Sequence, residues 1–154
     1  MSATLRFVYL LALVIWIGEV VFFSFVVAPA VFGVLGPARA GDVVAVIFPR
    51  YYALGMGAAG VALVAAWLIR SSAAPRRAWM GAVVALGLGF AVTVWAGAVV
   101  YPRARGLRAA RQAAGVETPA VEFERAHREA VVLNGSALLC GLAALAFSAA
   151  ALRT

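Results

Sequence analysis

Four long apolar runs divide the chain, from Phe7 to Leu35, Tyr52 to Ile69, Trp79 to Tyr101 and Ala130 to Leu152, and arginine-bearing segments separate them. Roughly 20 apolar residues are needed to cross a hydrocarbon core as an α-helix, and each run is close to that length or beyond it. The runs are continuous, whereas a membrane β-strand needs alternating polarity. The pattern therefore predicts helices over about 7–35, 48–69, 79–111 and 119–152. Together they occupy nearly all of residues 1–154, which predicts a single transmembrane domain, an all-α four-helix bundle.

The first run is longer than a bilayer requires, so its helix must tilt, bend or emerge. Pro29 supplies a bend, because it lacks an amide proton and its ring crowds the carbonyl of Phe25. Ala28-Pro29-Ala30 has the small residues of a signal cleavage site, but the apolar run far exceeds the ~7–15 residues of a signal core. It is expected to be a retained helix. Glycines 18, 55, 57, 60, 81, 87, 89 and 97 suit close helix packing.

The longest polar segment, Pro102 to Glu129, continues the third helix through Arg103-Ala-Arg-Gly-Leu-Arg-Ala-Ala-Arg111 as far as Gly115. Thr118-Pro119 then starts a new helix, with Thr118 as N-cap, Pro119 at the first position and Glu122 in the first turn. On this fourth helix Phe123, His127, Ala130, Asn134 and Leu138 share one stripe.

Composition agrees with the membrane reading: 66% of residues are apolar, 12% are charged and the mean hydropathy is +1.01. The net charge of +7 comes from thirteen arginines and no lysine, placed in loops and at helix ends. In such a chain that charge reports topology and headgroup contact, with no nucleic acid as partner. Eight arginines (39, 50, 103, 105, 108, 111, 125, 128) lie on the side of the 36–51 and 102–129 connections and five (6, 70, 76, 77, 153) on the other. The raw count places the connections in the cytoplasm. The single cysteine, Cys140, cannot form an intrachain disulfide and reads as a small hydrophobe. With one histidine and three scattered methionines, no metal site is expected within one chain.

The two halves echo each other. Trp16-Ile-Gly18-Glu-Val20-Val21 matches Trp95-Ala-Gly97-Ala-Val99-Val100, each followed by a proline, Pro29 or Pro102. Phe48-Pro-Arg50-Tyr-Tyr52 matches Phe123-Glu-Arg125-Ala-His127. A tandem repeat of two helical hairpins, 7–69 and 79–152, is expected. Odd helices would then end, and even helices begin, on one side of the membrane, clustering Pro29, Arg50, Tyr52, Pro102, Arg125 and His127 at one mouth. Asn134 would lie about 10 Å deeper than His127 at ~1.5 Å per residue.

Glu19 is the costliest of these polar residues, because an intramembrane carboxylate normally faces a cavity, a partner or a proton path. Its charge state is set by surroundings that the sequence leaves open. Each of the others also has a structural explanation. Arg50 and Arg125 serve as interfacial anchors, His127 as a lipid or carbonyl contact, and Asn134 as a hydrogen-bonding packer.

The motifs Trp16-Ile-Gly18, Ala28-Pro29-Ala30-Val-Phe32, Ala40-Gly41, Ile47-Phe48-Pro49-Arg50-Tyr51-Tyr52, Tyr101-Pro102-Arg103, Phe123-x-x-x-His127 and Leu133-Asn134 resemble the transmembrane protein 205-like family. These are four-helix membrane proteins whose domain is one of unknown function (domain of unknown function 4149). More remotely the chain is similar to copper-resistance D-like four-helix proteins and to those of haem-pathway protoporphyrinogen oxidation. That resemblance implies a four-helix fold and brings metal transport and haem binding into view. The chain departs from the haem-type pattern: one histidine excludes two-histidine ligation within a chain, Ala130 stands where a serine is usual, and Glu19 stands where a small residue is usual.

Two functional classes follow, with a structural or accessory membrane protein as the plainer alternative. The first is a bundle that binds or translocates a small ligand or ion along Glu19, Arg50, Tyr52, Arg125, His127 and Asn134, with no cofactor. The second is a haem- or porphyrin-binding redox protein with His127 as axial ligand and arginines on the propionates. Enzymatic activity stays open, although no nucleophile elbow or phosphate loop is present. A narrow four-helix bundle leaves little room for a pore, so a homo-oligomer, a dimer, is expected. The expected setting is a prokaryotic inner membrane.

Overall fold

The computed structural model describes residues 3–72, 76–113, 115 and 120–152, apart from a few side chains within the helices. Every element among them is helical. Four helices are long and apolar enough to cross a membrane: α1 (Ala3–Pro37), α2 (Arg39–Ser72), α3 (Arg77–Ala110), and α4, whose full helix is Ala120–Leu152 and whose spanning part is Arg128–Ala151. The protein is an integral membrane protein built as a four-helix bundle.

Sequential helices are antiparallel neighbours. Phe23 of α1 lies against Phe48 and Tyr51 of α2. Tyr52 of α2 abuts Gly97 of α3, and Tyr101 reaches back to Ala45. Gly81 and Gly89 of α3 meet Phe147 and Cys140 of α4. The α1–α4 contact closes the ring, and the Tyr9 and Ser148 hydroxyls are hydrogen-bonded there. Ser148 in turn donates to the Ala144 carbonyl at 2.6 Å, so neither buried hydroxyl is left unsatisfied. Trp16, Trp79, Tyr9, Leu13, Ile69 and Leu86 are almost wholly enclosed. Phe7, Val14, Phe25, Val64, Leu88 and Leu139 point outward, as apolar side chains do where the solvent is lipid.

The second helix begins earlier than predicted, at Arg39 rather than near Phe48, because the reversal is made at one residue. Gly36 adopts φ 70°, ψ 168°, a region essentially closed to residues with a Cβ. Pro37 follows it and disfavours continuation of the preceding helix. The stretch expected as a loop is thus helical, and Pro49 sits inside α2. The fourth helix starts at Ala120, near its expected position. The Thr118-Pro119 cap lies outside the described residues.

Pro29 does distort its helix, in a specific way. The five residues Phe23–Val27 form a π-turn, closed by the Ala28 amide donating to the Phe23 carbonyl. Ala96–Val100 form a second one, closed from Tyr101 to Ala96, just before Pro102. A proline cannot donate to the carbonyl four residues back, and lengthening the local bond pattern by one residue accommodates it. Phe23 and Ala96 stand 73 positions apart, as do Pro29 and Pro102. Trp16 and Trp95 stand 79 apart, and their surroundings differ: Trp16 is 1% exposed and Trp95 53%.

Candidate functional site

The polar residues of the bundle interior converge at the level of Glu19. Its Oε1 lies where a side chain on Gly55 would have to go, and the Thr93 methyl borders the same spot. The absence of a side chain at 55 leaves this space to the Glu19 carboxyl, which a Cβ there would have to displace. Tyr51, one turn earlier on α2, donates its hydroxyl to Asn134 Oδ1 at 3.2 Å, joining α2 to α4. Thr93 donates to the Gly89 carbonyl at 2.9 Å within α3, so its hydroxyl turns along its own helix.

Between these groups is a cavity bounded by Trp16, Glu19, Tyr51, Tyr52, Thr93 and Asn134, with Val20, Val92, Ala96, Leu133 and Ala137 completing its walls. It has space for about one water molecule. Among the described residues, two buried polar atoms at this level, Glu19 Oε2 and Trp16 Nε1, have no hydrogen-bond partner. Buried polar atoms are paired in most structures, and exceptions point to a role. No cationic side chain is among the described residues that line the cavity.

Both ends of the cavity are packed. Toward the Arg50 end, Phe23, Phe48, Tyr51, Tyr52 and Tyr101 form a cluster with ring centroids 4.9 to 6.0 Å apart. Toward the other end, Trp16 fills the space at Gly89 and, with Ile17, that at Gly141. Leu13, Leu86, Tyr9 and Trp79 follow, each at most 2% exposed. Gly55 is five residues from Arg50 and fifteen from Arg70, about 7 and 22 Å along the helix at ~1.5 Å per residue. Glu19 therefore lies closer to the Arg50 end than to the other.

Of the site residues expected from sequence, Glu19, Tyr52 and Asn134 line this one cavity. Arg50 and Arg125 are exposed, and Arg50 turns along its own helix to the Val46 carbonyl at 3.2 Å. The His127 side chain, like that of Phe123, lies outside the described residues. Tyr51, Thr93 and Trp16 belong to the cavity but were not among the expected site residues. Their signal is modest, a hydroxyl or indole on an otherwise apolar span.

Residues 11–113 match the family model described as Domain of unknown function (DUF4149). The chain belongs to the DUF4149 family. No curated protein and no solved structure matches it. The DUF4149 match takes in three of the four helices and with them Trp16, Glu19, Tyr51, Tyr52 and Thr93, while Asn134 lies beyond it.

Proposed function

We propose that this DUF4149 chain binds or translocates a small ligand or ion at the Glu19 site of its helix bundle. The observation that carries the reading is the buried, unpartnered Glu19 oxygen beside a cavity that α2, α3 and α4 line with Tyr51, Thr93 and Asn134. Desolvating a carboxyl group is unfavourable, and neighbouring hydroxyl and amide groups give the site selectivity. Arg50 and Arg125 act from outside as interfacial anchors and gather anions at that end of the bundle. The bilayer is the working environment, in a prokaryotic inner membrane, and the active form is a dimer. The tandem hairpin origin and the kinship with transmembrane protein 205-like and copper-resistance D-like proteins belong to the same proposal. The two proline-linked π-turns at one separation support the first of these.

The test is a thermal-stability screen of the full chain in mild detergent against a series of pH values, sodium, potassium and copper salts, glycerol and haemin. At least one probe should raise the midpoint of the wild type and leave Glu19→Gln unmoved. A screen in which every probe acts equally on both would return the protein to a packing role. The haem alternative rests on His127, whose side chain lies outside the described residues, and Arg50 and Arg125, its partners for the propionates, are exposed. The absorption spectrum of the purified protein is expected to lack a Soret band. A strong Soret band abolished by His127→Ala would reverse the ranking.

A further inference from the structure

We infer that the Glu19 cavity takes up one positive charge no larger than a water molecule, with a proton as the expected occupant. The inference rests on the reading above and narrows it to a class of ligand. The space fits about one water molecule, so an organic metabolite or a porphyrin is too large for it as built. Its walls are apolar except for Glu19, Tyr51, Tyr52, Thr93, Asn134 and the indole of Trp16. None of these brings a positive charge. A carboxylate in such surroundings has no counter-ion among the residues lining the cavity, and the compensating charge has to come from outside.

The placement of the oxygens separates the candidates within that class. An alkali or alkaline-earth cation is held by several convergent oxygens. Here the Thr93 hydroxyl is committed to the Gly89 carbonyl and presents its methyl toward Gly55, while the Tyr51 hydroxyl is committed to Asn134 Oδ1. A proton needs only the carboxyl group itself. The other titratable groups that face the site are Tyr51 and Tyr52 from α2. Thr93 from α3 and Asn134 from α4 do not titrate. Aromatic rings pack on one side of the cavity and Trp16 and Leu13 on the other. Glu19 itself is half-buried, and with both ends of the cavity packed the proton is loaded and released at this one residue.

The experiment uses the full chain in mild detergent, lightly buffered, with a pH-indicator dye. Across an acid-to-alkaline titration the wild type should release about one proton per chain more than Glu19→Gln. Infrared difference spectra of the wild type alone should show a carboxylic C=O band exchanging with a carboxylate band over the same range, a readout that needs no variant to fold. If sodium or lithium salts release protons from the wild type and not from Glu19→Gln, an alkali ion shares the site and the inference stands. Absence of both the proton difference and the infrared band overturns it. Stabilisation by glycerol or haemin through Glu19, with no proton or cation effect, would sink this inference while leaving the broader ligand-binding reading in place.

Discussion

At the residue scale, the glycines do different jobs. A Cβ at Gly97 would come within 2.8 Å of the Tyr52 Cβ, an atom that cannot swing away without moving its backbone. Gly97→Ala is expected to destabilise the bundle by about 1–3 kcal/mol, the usual result of overpacking, measured by unfolding in denaturing detergent. At Gly55 the obstacle is the end of a flexible side chain, Glu19 Oε1. Gly55→Ala should therefore keep the fold and displace the carboxyl, changing the proton titration more than the stability. At Gly18, Gly57 and Gly87 an added methyl group would meet nothing within 4 Å, so the close packing expected of them is absent. Gly57→Ala is expected to be neutral or to stabilise by up to ~1 kcal/mol through the gain in helix propensity. An equal loss at 57 and 97 would show that steric fit is not what distinguishes them.

At the element scale, the reversal between α1 and α2 rests on one backbone conformation. Gly36→Ala forces a Cβ into the φ 70°, ψ 168° region and should cost about 1–3 kcal/mol, although no atom lies within 4 Å of the new methyl. The loss should appear in the unfolding midpoint. The weaker α1–α4 side is fastened by the Tyr9–Ser148–Ala144 chain of hydrogen bonds. A double-mutant cycle of Tyr9→Phe and Ser148→Ala is expected to give a coupling of roughly 0.5–1.5 kcal/mol, the range for hydrogen bonds between membrane helices. Zero coupling would mean that packing across this edge, where Ile17 and Trp16 of α1 meet Gly141 of α4, holds it alone. The Arg108–Asp42 ion pair at 2.9 Å, which ties the end of α3 to the start of α2, is largely exposed. Asp42→Asn should change stability by less than ~1 kcal/mol.

At the scale of the whole molecule, the arginine distribution bears on orientation. The end that carries Gly36, Arg50 and the outer part of α3 holds the larger number of arginines, and the excess of positive charge favours the cytoplasmic side. In a Cys140→Ala background, Arg105→Cys should be protected from a membrane-impermeant thiol reagent added outside intact cells and react after lysis. Labelling in intact cells would place that end outside and require the Glu19 site to load from the opposite face.

The class of protein, the number of spans and the presence of a costly carboxyl group in the first of them were legible in the sequence. Span length and hydropathy are local properties, and the bilayer imposes them on each helix separately. The distortion at Pro29 was legible for the same reason, since a missing amide proton acts within one turn. The company of Glu19 was legible only in part: Tyr52 and Asn134 were expected on its path and line its cavity, whereas Tyr51, Thr93 and Trp16 were not expected there. These helices are apolar around most of their circumference, so no polar stripe says which face turns inward. The early start of α2, the burial of Trp16 against the exposure of Trp95, and the choice of Tyr51 and Thr93 as neighbours of Glu19 came from packing between helices distant in sequence. Only the tertiary structure decides them, because close approach such as that of Gly97 to the Tyr52 Cβ sets how far each helix slides and rotates on its neighbour, and no single span contains that information.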